Sequence, residues 1–142
     1  MKILIDTNIV LDHLLDRKPY NQAASWIFSE SEHGRFTTFI GGTTVTTVQY
    51  LLTKALDAKS SRSAIEMLLR LFEIAPITRT VLSSALLLKF KDFEDAVLHE
   101  AAVHVGAQAI ITRNVKDFKM ASLAVHSSDE FYLALVEDSK SL

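Results

Sequence analysis

The stretch that decides the fold is Met1-Lys2-Ile3-Leu4-Ile5-Asp6-Thr7-Asn8-Ile9-Val10-Leu11-Asp12-His13-Leu14-Leu15. Ile3, Leu4 and Ile5 form a short apolar run that Asp6-Thr7-Asn8 stops. Ile9, Val10, Leu11, Leu14 and Leu15 then recur at helical spacing, so a strand, a turn and a helix follow one another. Pro19 breaks the chain, and Ala23, Ala24, Trp26, Ile27 and Phe28 mark a second helix ending near Gly34. Phe36 to Ile40 is rich in Phe, Thr and Ile and reads as a second strand, with Gly41-Gly42 as its turn. A third helix runs from about Thr44 to Leu56.

Further along, Ser60 and Ser61 are candidate N-caps for a helix with an apolar stripe of Ile65, Leu68, Leu69 and Phe72. A short strand within Phe72 to Ile77 is interrupted by Pro76, which places it at a sheet edge. Helices over Val81 to Leu88 and Phe93 to Val105 lead through Gly106 into Ala109-Ile110-Ile111, the best interior strand. Leu123-Ala124-Val125 reads as a last strand and Ser128 to Val136 as a closing helix. Strands alternate with helices, and no repeat or linker divides residues 1–142. The expectation is one α/β domain with a parallel sheet covered by helices.

The 142 residues carry 15 Lys and Arg against 17 Asp and Glu, and 49% are hydrophobic. Such a chain buries roughly 70% of its unfolded surface and needs no disulfide or structural metal to hold a core. With no cysteine, thiol catalysis, Cys-ligated zinc and iron–sulfur ligation are excluded, and a reducing cytoplasm is the expected setting. Met1 to Ile5 is too short for a signal segment, so no secretion is predicted. No apolar stretch approaches the roughly 20 residues that span a bilayer, so no membrane contact is expected. The near-neutral charge argues against bulk coating of duplex nucleic acid and confines any such contact to a local basic rim.

Chemistry in open α/β sheets gathers outside the carboxyl ends of the strands. Asp6 ends the first strand, and Thr112-Arg113-Asn114 follows the strand at 109–111, with Asp117 three residues on. Asp92 and Asp95 lie three apart at a helix start, on one side of its first turn. Each acid has an ordinary structural explanation: Asp92 as a cap, Asp95 at the positive helix end, Asn114 and Asp117 repeating that pattern, and Asp6 or Thr7 capping the first helix. Placement argues for more. Two carboxylates at about 4 Å cost about 4 kcal/mol at an effective dielectric of about 20, so several at one sheet edge require a cation or raised pKa values. Mg²⁺ takes oxygen ligands, uses few carboxylates and keeps waters, which suits a Cys-free acidic site. Such an ion activates water and neutralises charge on a phosphodiester, making its hydrolysis the candidate reaction. Phosphoryl transfer to Asp6 would favour Asp-x-Asp, and Asn8 stands in the second place.

Ile3-Leu4-Ile5-Asp6-Thr7-Asn8, Asp92-Phe93-Glu94-Asp95-Ala96 and Ile110-Ile111-Thr112-Arg113-Asn114-Val115-Lys116-Asp117-Phe118 together resemble the signature blocks of PIN domains, the nuclease fold of VapC-type toxins. The resemblance implies a three-layer α/β/α sandwich with about five parallel strands. It also implies a Mg²⁺ or Mn²⁺ site, cleavage of single-stranded RNA, a homodimer and a cognate antitoxin protein. By position, Asp6 resembles the first metal ligand and Asp95 the central one. Asp92 is a further ligand, and Asn114 and Asp117 are alternatives for the last acid. Asp6, Asp95 and Asp117 are the expected catalytic set. Thr7 and Thr112 would hold ligands or a phosphate by hydroxyl contacts, and Asn8 would support the first turn.

Many relatives carry Glu on the third helix, where Gln49 stands here. A neutral amide offers an oxygen without negative charge and is a poor proton acceptor. A weakened module that binds RNA or protein is therefore the alternative function. Arg113 and Lys116, with Lys119 nearby, are the candidate RNA contacts, and Lys54, Lys59 and Arg62 form a second basic group that a solvated face explains equally well. His13, His33, His99, His104 and His126 lack zinc-ligand spacing and are expected to be surface or satisfied polar residues. Trp26, Phe90 and Phe93 are expected in the core, with base stacking the alternative for Phe90.

Overall fold

A computed structural model describes residues 1–140. The elements are β1 (Lys2–Ile5), α1 (Thr7–Leu14), α2 (Asn21–Glu32), β2 (Thr37–Gly41), α3 (Gly42–Ala55), α4 (Ala58–Leu71) and β3 (Glu73–Ala75), followed by α5 (Arg79–Leu86), α6 (Phe93–His104), β4 (Ala109–Ile111), a 3-10 turn (Val115–Phe118), β5 (Ala124–His126) and α7 (Ser128–Lys140). The five strands make one all-parallel sheet in the order β3-β2-β1-β4-β5, so the fold is the α/β/α sandwich expected from the sequence.

Alternation along the strands divides the core. Ile3, Ile5, Ala109 and Ile111 pack into one apolar layer with residues of α1, α2, α3, α4 and α7. Leu4 and Ile110 point the other way, into a layer built with α5 and α6. The chain runs from β1 to β2 to β3 in one direction across the sheet. It then returns through α5 and α6, on the opposite face, to β4 on the other side of β1. β1 and β4 thus flank the point where the winding reverses, and their carboxyl ends open the crevice that this topology makes available to ligands.

Several local expectations are corrected. Gly41-Gly42 is not a free turn: Gly41 ends β2 and Gly42 begins α3 directly. A side chain at Gly41 would place its Cβ 2.7 Å from Leu98 Cδ2, so the glycine lets α6 lie against the end of β2. The fourth helix is capped by Asp57, whose carboxylate accepts from the Ser60 backbone N–H at 2.7 Å, and not by Ser60 or Ser61. The fifth begins earlier than Val81, at Arg79, because Thr78 Oγ1 accepts from the Val81 N–H. The 3-10 turn is an element that apolar periodicity does not reveal, since its four residues make a single turn. The edge position of β3 agrees with Pro76 lying just beyond it. Trp26 packs edge-on to Phe36, Phe131 and Tyr132, whereas Phe93 is not a core residue, being 48% exposed.

Leu98 is itself buried, so an added methyl at residue 41 overpacks the junction. Gly41→Ala is expected to lower stability by about 1–3 kcal/mol, read as a shifted midpoint in urea denaturation without a changed slope.

Candidate active site

Asp6 is 7% exposed at the carboxyl end of β1. Its backbone N–H donates to Ile111 O at 2.9 Å, which locks it beside the end of β4. Its Oδ1 accepts from the Thr7 N–H at 2.7 Å, and its Oδ2 from Thr112 Oγ1 at 2.8 Å. The capping explanation therefore holds for Asp6, but it covers only one of the two oxygens. Thr112 is fully buried, and its hydroxyl also accepts from the Asn114 N–H at 3.0 Å. Its single proton is committed to Asp6, so Thr112 orients the carboxylate and has no proton left to donate to a phosphate. Thr7 Oγ1 lies 3.0 Å from Thr44 Oγ1, linking the first turn of α1 to α3. Asn8 Oδ1 accepts from the Arg113 N–H at 3.4 Å and ties the two carboxyl-end loops together.

Asp92 is the N-cap of α6, its Oδ1 accepting from the Glu94 N–H at 2.8 Å. Asp95, one turn later, is partly buried. Asp117 is exposed on the 3-10 turn, and Asn114 precedes that turn without a side-chain capping bond, contrary to the capping pattern expected of it. The turn is held from behind. Phe118 is 1% exposed and packs edge-on to Phe90. Beyond it, the Ser122 N–H donates to His99 Nε2 at 3.0 Å. With Nε2 accepting, the proton sits on His99 Nδ1, which donates to Glu100 Oε1 at 3.3 Å. His99 is thus a satisfied core histidine that fixes the segment carrying Asp117 to the helix carrying Asp95.

The carboxylates feel one another. Burial pushes the Asp95 carboxyl up to about 7, and the charges of Asp6, Asp92, Asp117 and Glu94 add to that rise. Burial also raises Asp6; the bonds from Thr112 and Thr7 oppose the rise, and the charges of Asp117 and Asp92 reinforce it. Among the described residues, no lysine, arginine or histidine forms an ion pair with any of these aspartates. Nor does any group of three or more His, Asp or Glu enclose an ion by itself among those residues. A purely oxygen donor set, crowded and without a counter-cation, fits a hard divalent ion that binds through one or two carboxylates and keeps its waters.

The other expected contributors differ in placement. Gln49 is exposed on α3, a helix of the layer opposite the one that contains α6. Lys116 is exposed on the turn beside Asp117. Arg113 is turned partly inward: its Nε is 3.4 Å from Asp12 Oδ2, and its guanidinium lies 3.8 Å from the Tyr20 ring centroid. Asp12, which the sequence reading passed over, is fully buried between Arg113 and Arg17, the latter at 2.9 Å. An acid directly after the apolar run Ile9-Val10-Leu11 and before Leu14-Leu15 was the available signal, since a buried charge demands a partner. Thr44 was also missed, and nothing in its spacing marks it.

The raised Asp95 pKa has a consequence for stability. Its carboxyl titrates at about 7 in the folded chain and at about 3.9 unfolded. The folded state therefore binds more protons between those values, and the metal-free protein loses stability as pH rises through that window. In EDTA, Asp95→Asn should melt above wild type at about pH 8, with the difference shrinking towards about pH 5. Equal melting temperatures at the higher pH would refute the crowding.

Known proteins resemble this chain in sequence and in fold. A family model described as a PIN domain matches residues 2–116. Ribonuclease VapC1 of Aquifex aeolicus is 26% identical over 135 residues, which cover 92% of each chain. Among solved structures, DNA-bound VapBC from Salmonella typhimurium superposes with a TM-score of 0.70 at 14% identity, over 90% of this chain and 98% of that one. A toxin–antitoxin complex from Klebsiella pneumoniae gives 0.68 at 23% identity, over 89% and 97%. The match across residues 2–116, most of the chain, makes this protein a member of the PIN domain family.

Proposed function

We propose that this protein is a divalent-metal-dependent endoribonuclease that cleaves single-stranded RNA, and the toxin component of a type II toxin–antitoxin pair. The observation that carries the proposal is the crowding of Asp6, Asp92, Asp95 and Asp117, with the Asp95 carboxyl pushed up to about 7. The similarity to Ribonuclease VapC1 supports the nuclease assignment, and the toxin–antitoxin complex among the solved relatives supports a cognate antitoxin. Residues 1–142 are taken as one such domain, working in the cytoplasm. No helix among the described residues is long and apolar enough to cross a membrane.

In this mechanism Asp6, Asp95 and Asp117, with Asp92 beside them, would hold Mg²⁺ or Mn²⁺, which when bound would lower the pKa of a water and neutralise charge on the phosphodiester. Thr112 and the Thr7 N–H aim the Asp6 carboxylate. Asn8 Oδ1 ties the first turn of α1 to the Arg113 N–H, and Asn114 gives its backbone N–H to Thr112 Oγ1. Lys116 contacts a phosphate, as does Arg113 through the part of its guanidinium that Asp12 leaves exposed. Leu82, Leu86, Leu87 and Phe93 leave apolar surface open to solvent, which association into a homodimer would cover.

Purified protein should cleave single-stranded RNA when given Mg²⁺ or Mn²⁺, and EDTA or Asp95→Asn should each abolish cleavage; activity that survives both refutes the mechanism. Gln49 supports a second reading, a weakened module in which binding outlasts cleavage. On that reading wild type binds RNA or a protein partner with little turnover, and Gln49→Glu raises hydrolysis severalfold in a gel-based assay. Vigorous wild-type turnover eliminates it.

A further inference from the structure

Two basic segments run directly into the acidic group. Lys89-Phe90-Lys91 precedes Asp92, and Lys116 and Lys119 bracket Asp117-Phe118. The structure brings the two segments together: Lys89, Lys91, Lys116 and Lys119 line one cleft of about 440 Å³, with Phe90, Met120 and Asp117 itself. Residues three apart eclipse one another in a 3-10 turn, so Lys116 and Lys119 stand on the same edge. All four lysines are exposed. Lysines beside Asp92 and Asp117 would ordinarily relieve the local repulsion by pairing with them. Among the described residues none of the four forms an ion pair.

The second basic group behaves differently. Lys54 lies over the Tyr50 ring at 4.4 Å, and Arg62 pairs with Glu66 at 3.2 Å. Two of that group's three charges are thus engaged within their own helices, while Lys59 is exposed and forms no ion pair among the described residues. The cleft, in contrast, has a fixed floor, because Phe90 packs on Phe118 and on His99, 5.3 Å between ring centroids for the latter.

We propose that this cleft is the phosphate track of the RNA substrate, with Lys89, Lys91, Lys116 and Lys119 neutralising backbone phosphates on one side of the phosphodiester presented to Asp95 and Asp117. It rests on the nuclease reading and adds the direction in which the strand leaves the acidic group. Unpaired cations interleaved with Phe90 and Met120 suit a chain that alternates phosphates with flat bases. An acidic peptide would gain equally from the lysines but would bring no flat bases to Phe90 and Met120.

The test measures binding of a labelled short single-stranded RNA by fluorescence anisotropy, in EDTA, between about 50 and 200 mM salt. Cleavage of the same RNA is followed in parallel with Mn²⁺. Removing three phosphate contacts in Lys89→Gln/Lys91→Gln/Lys119→Gln should weaken binding by roughly tenfold to a hundredfold. It should also flatten the slope of log affinity against log salt by about 2. Lys54→Gln should leave both unchanged, and the corresponding triple arginine variant should retain binding, which a merely structural role of lysine would not predict. Unchanged affinity and slope in the glutamine variant, with wild type still cleaving, overturns the track and leaves the nuclease reading standing. Lysine-dependent binding without Mn²⁺-dependent cleavage upholds the cleft as a phosphate track for bound RNA and sinks the nuclease reading that makes that RNA a substrate. Absence of RNA binding by wild type overturns the track. If the glutamine variant instead loses affinity only for a polyglutamate peptide, the cleft belongs to a protein partner and the RNA assignment falls.

Discussion

Negative charge held where water cannot disperse it governs the carboxyl edge of this sheet. Asp6 sits almost wholly buried, with both oxygens already accepting hydrogen bonds. Those bonds favour its ionised form against the cost of burial. Asp95 responds first to its own burial and then to the charges around it, retaining its proton to near neutrality. Among the described residues no cation pairs with these acids, although lysines stand within the same cleft as Asp117.

That arrangement is costly to build and is distributed over elements that do different jobs. β1 and β4, buried on both faces, supply a rigid floor and present Asp6 and Thr112 side by side. Helix α6 presents Asp95 one turn in from its cap and closes against β2 because Gly41 carries no side chain. The 3-10 turn holds Asp117 by its N–H to Asn114 O at 2.9 Å and through its neighbours, Phe118 in the core and Ser122 on His99.

Much of the fold was legible because apolar runs and helical spacing report burial directly. Ile3 to Ile5 and Ala109 to Ile111 stand at the sheet centre for the reason that they are uninterrupted, and Pro76 marks an edge since it cannot donate to a ladder. What escaped was set by single atoms. Whether Ser60 or Asp57 caps a helix depends on which oxygen reaches an N–H, and both types are favoured caps. Gly41 reads as a turn residue until α6 is placed against it. At the candidate site, the acids and their order were visible in the sequence, as was the alternative that they only cap. Both descriptions apply to Asp6 and Asp92, since a carboxylate that accepts one N–H retains other lone pairs. Arg113 looked like a free cation because Asp12 and Tyr20, its neighbours in space, are remote in sequence.

The bond from Thr112 to Asp6 joins residues 106 positions apart. Chains are synthesised from the amino end, and domains fold as units. A growing polypeptide exposes Asp6 long before Thr112, and everything through β4 must emerge before that carboxylate acquires its partner. Truncation or premature termination upstream of Thr112 leaves a fragment in which the centre has never existed.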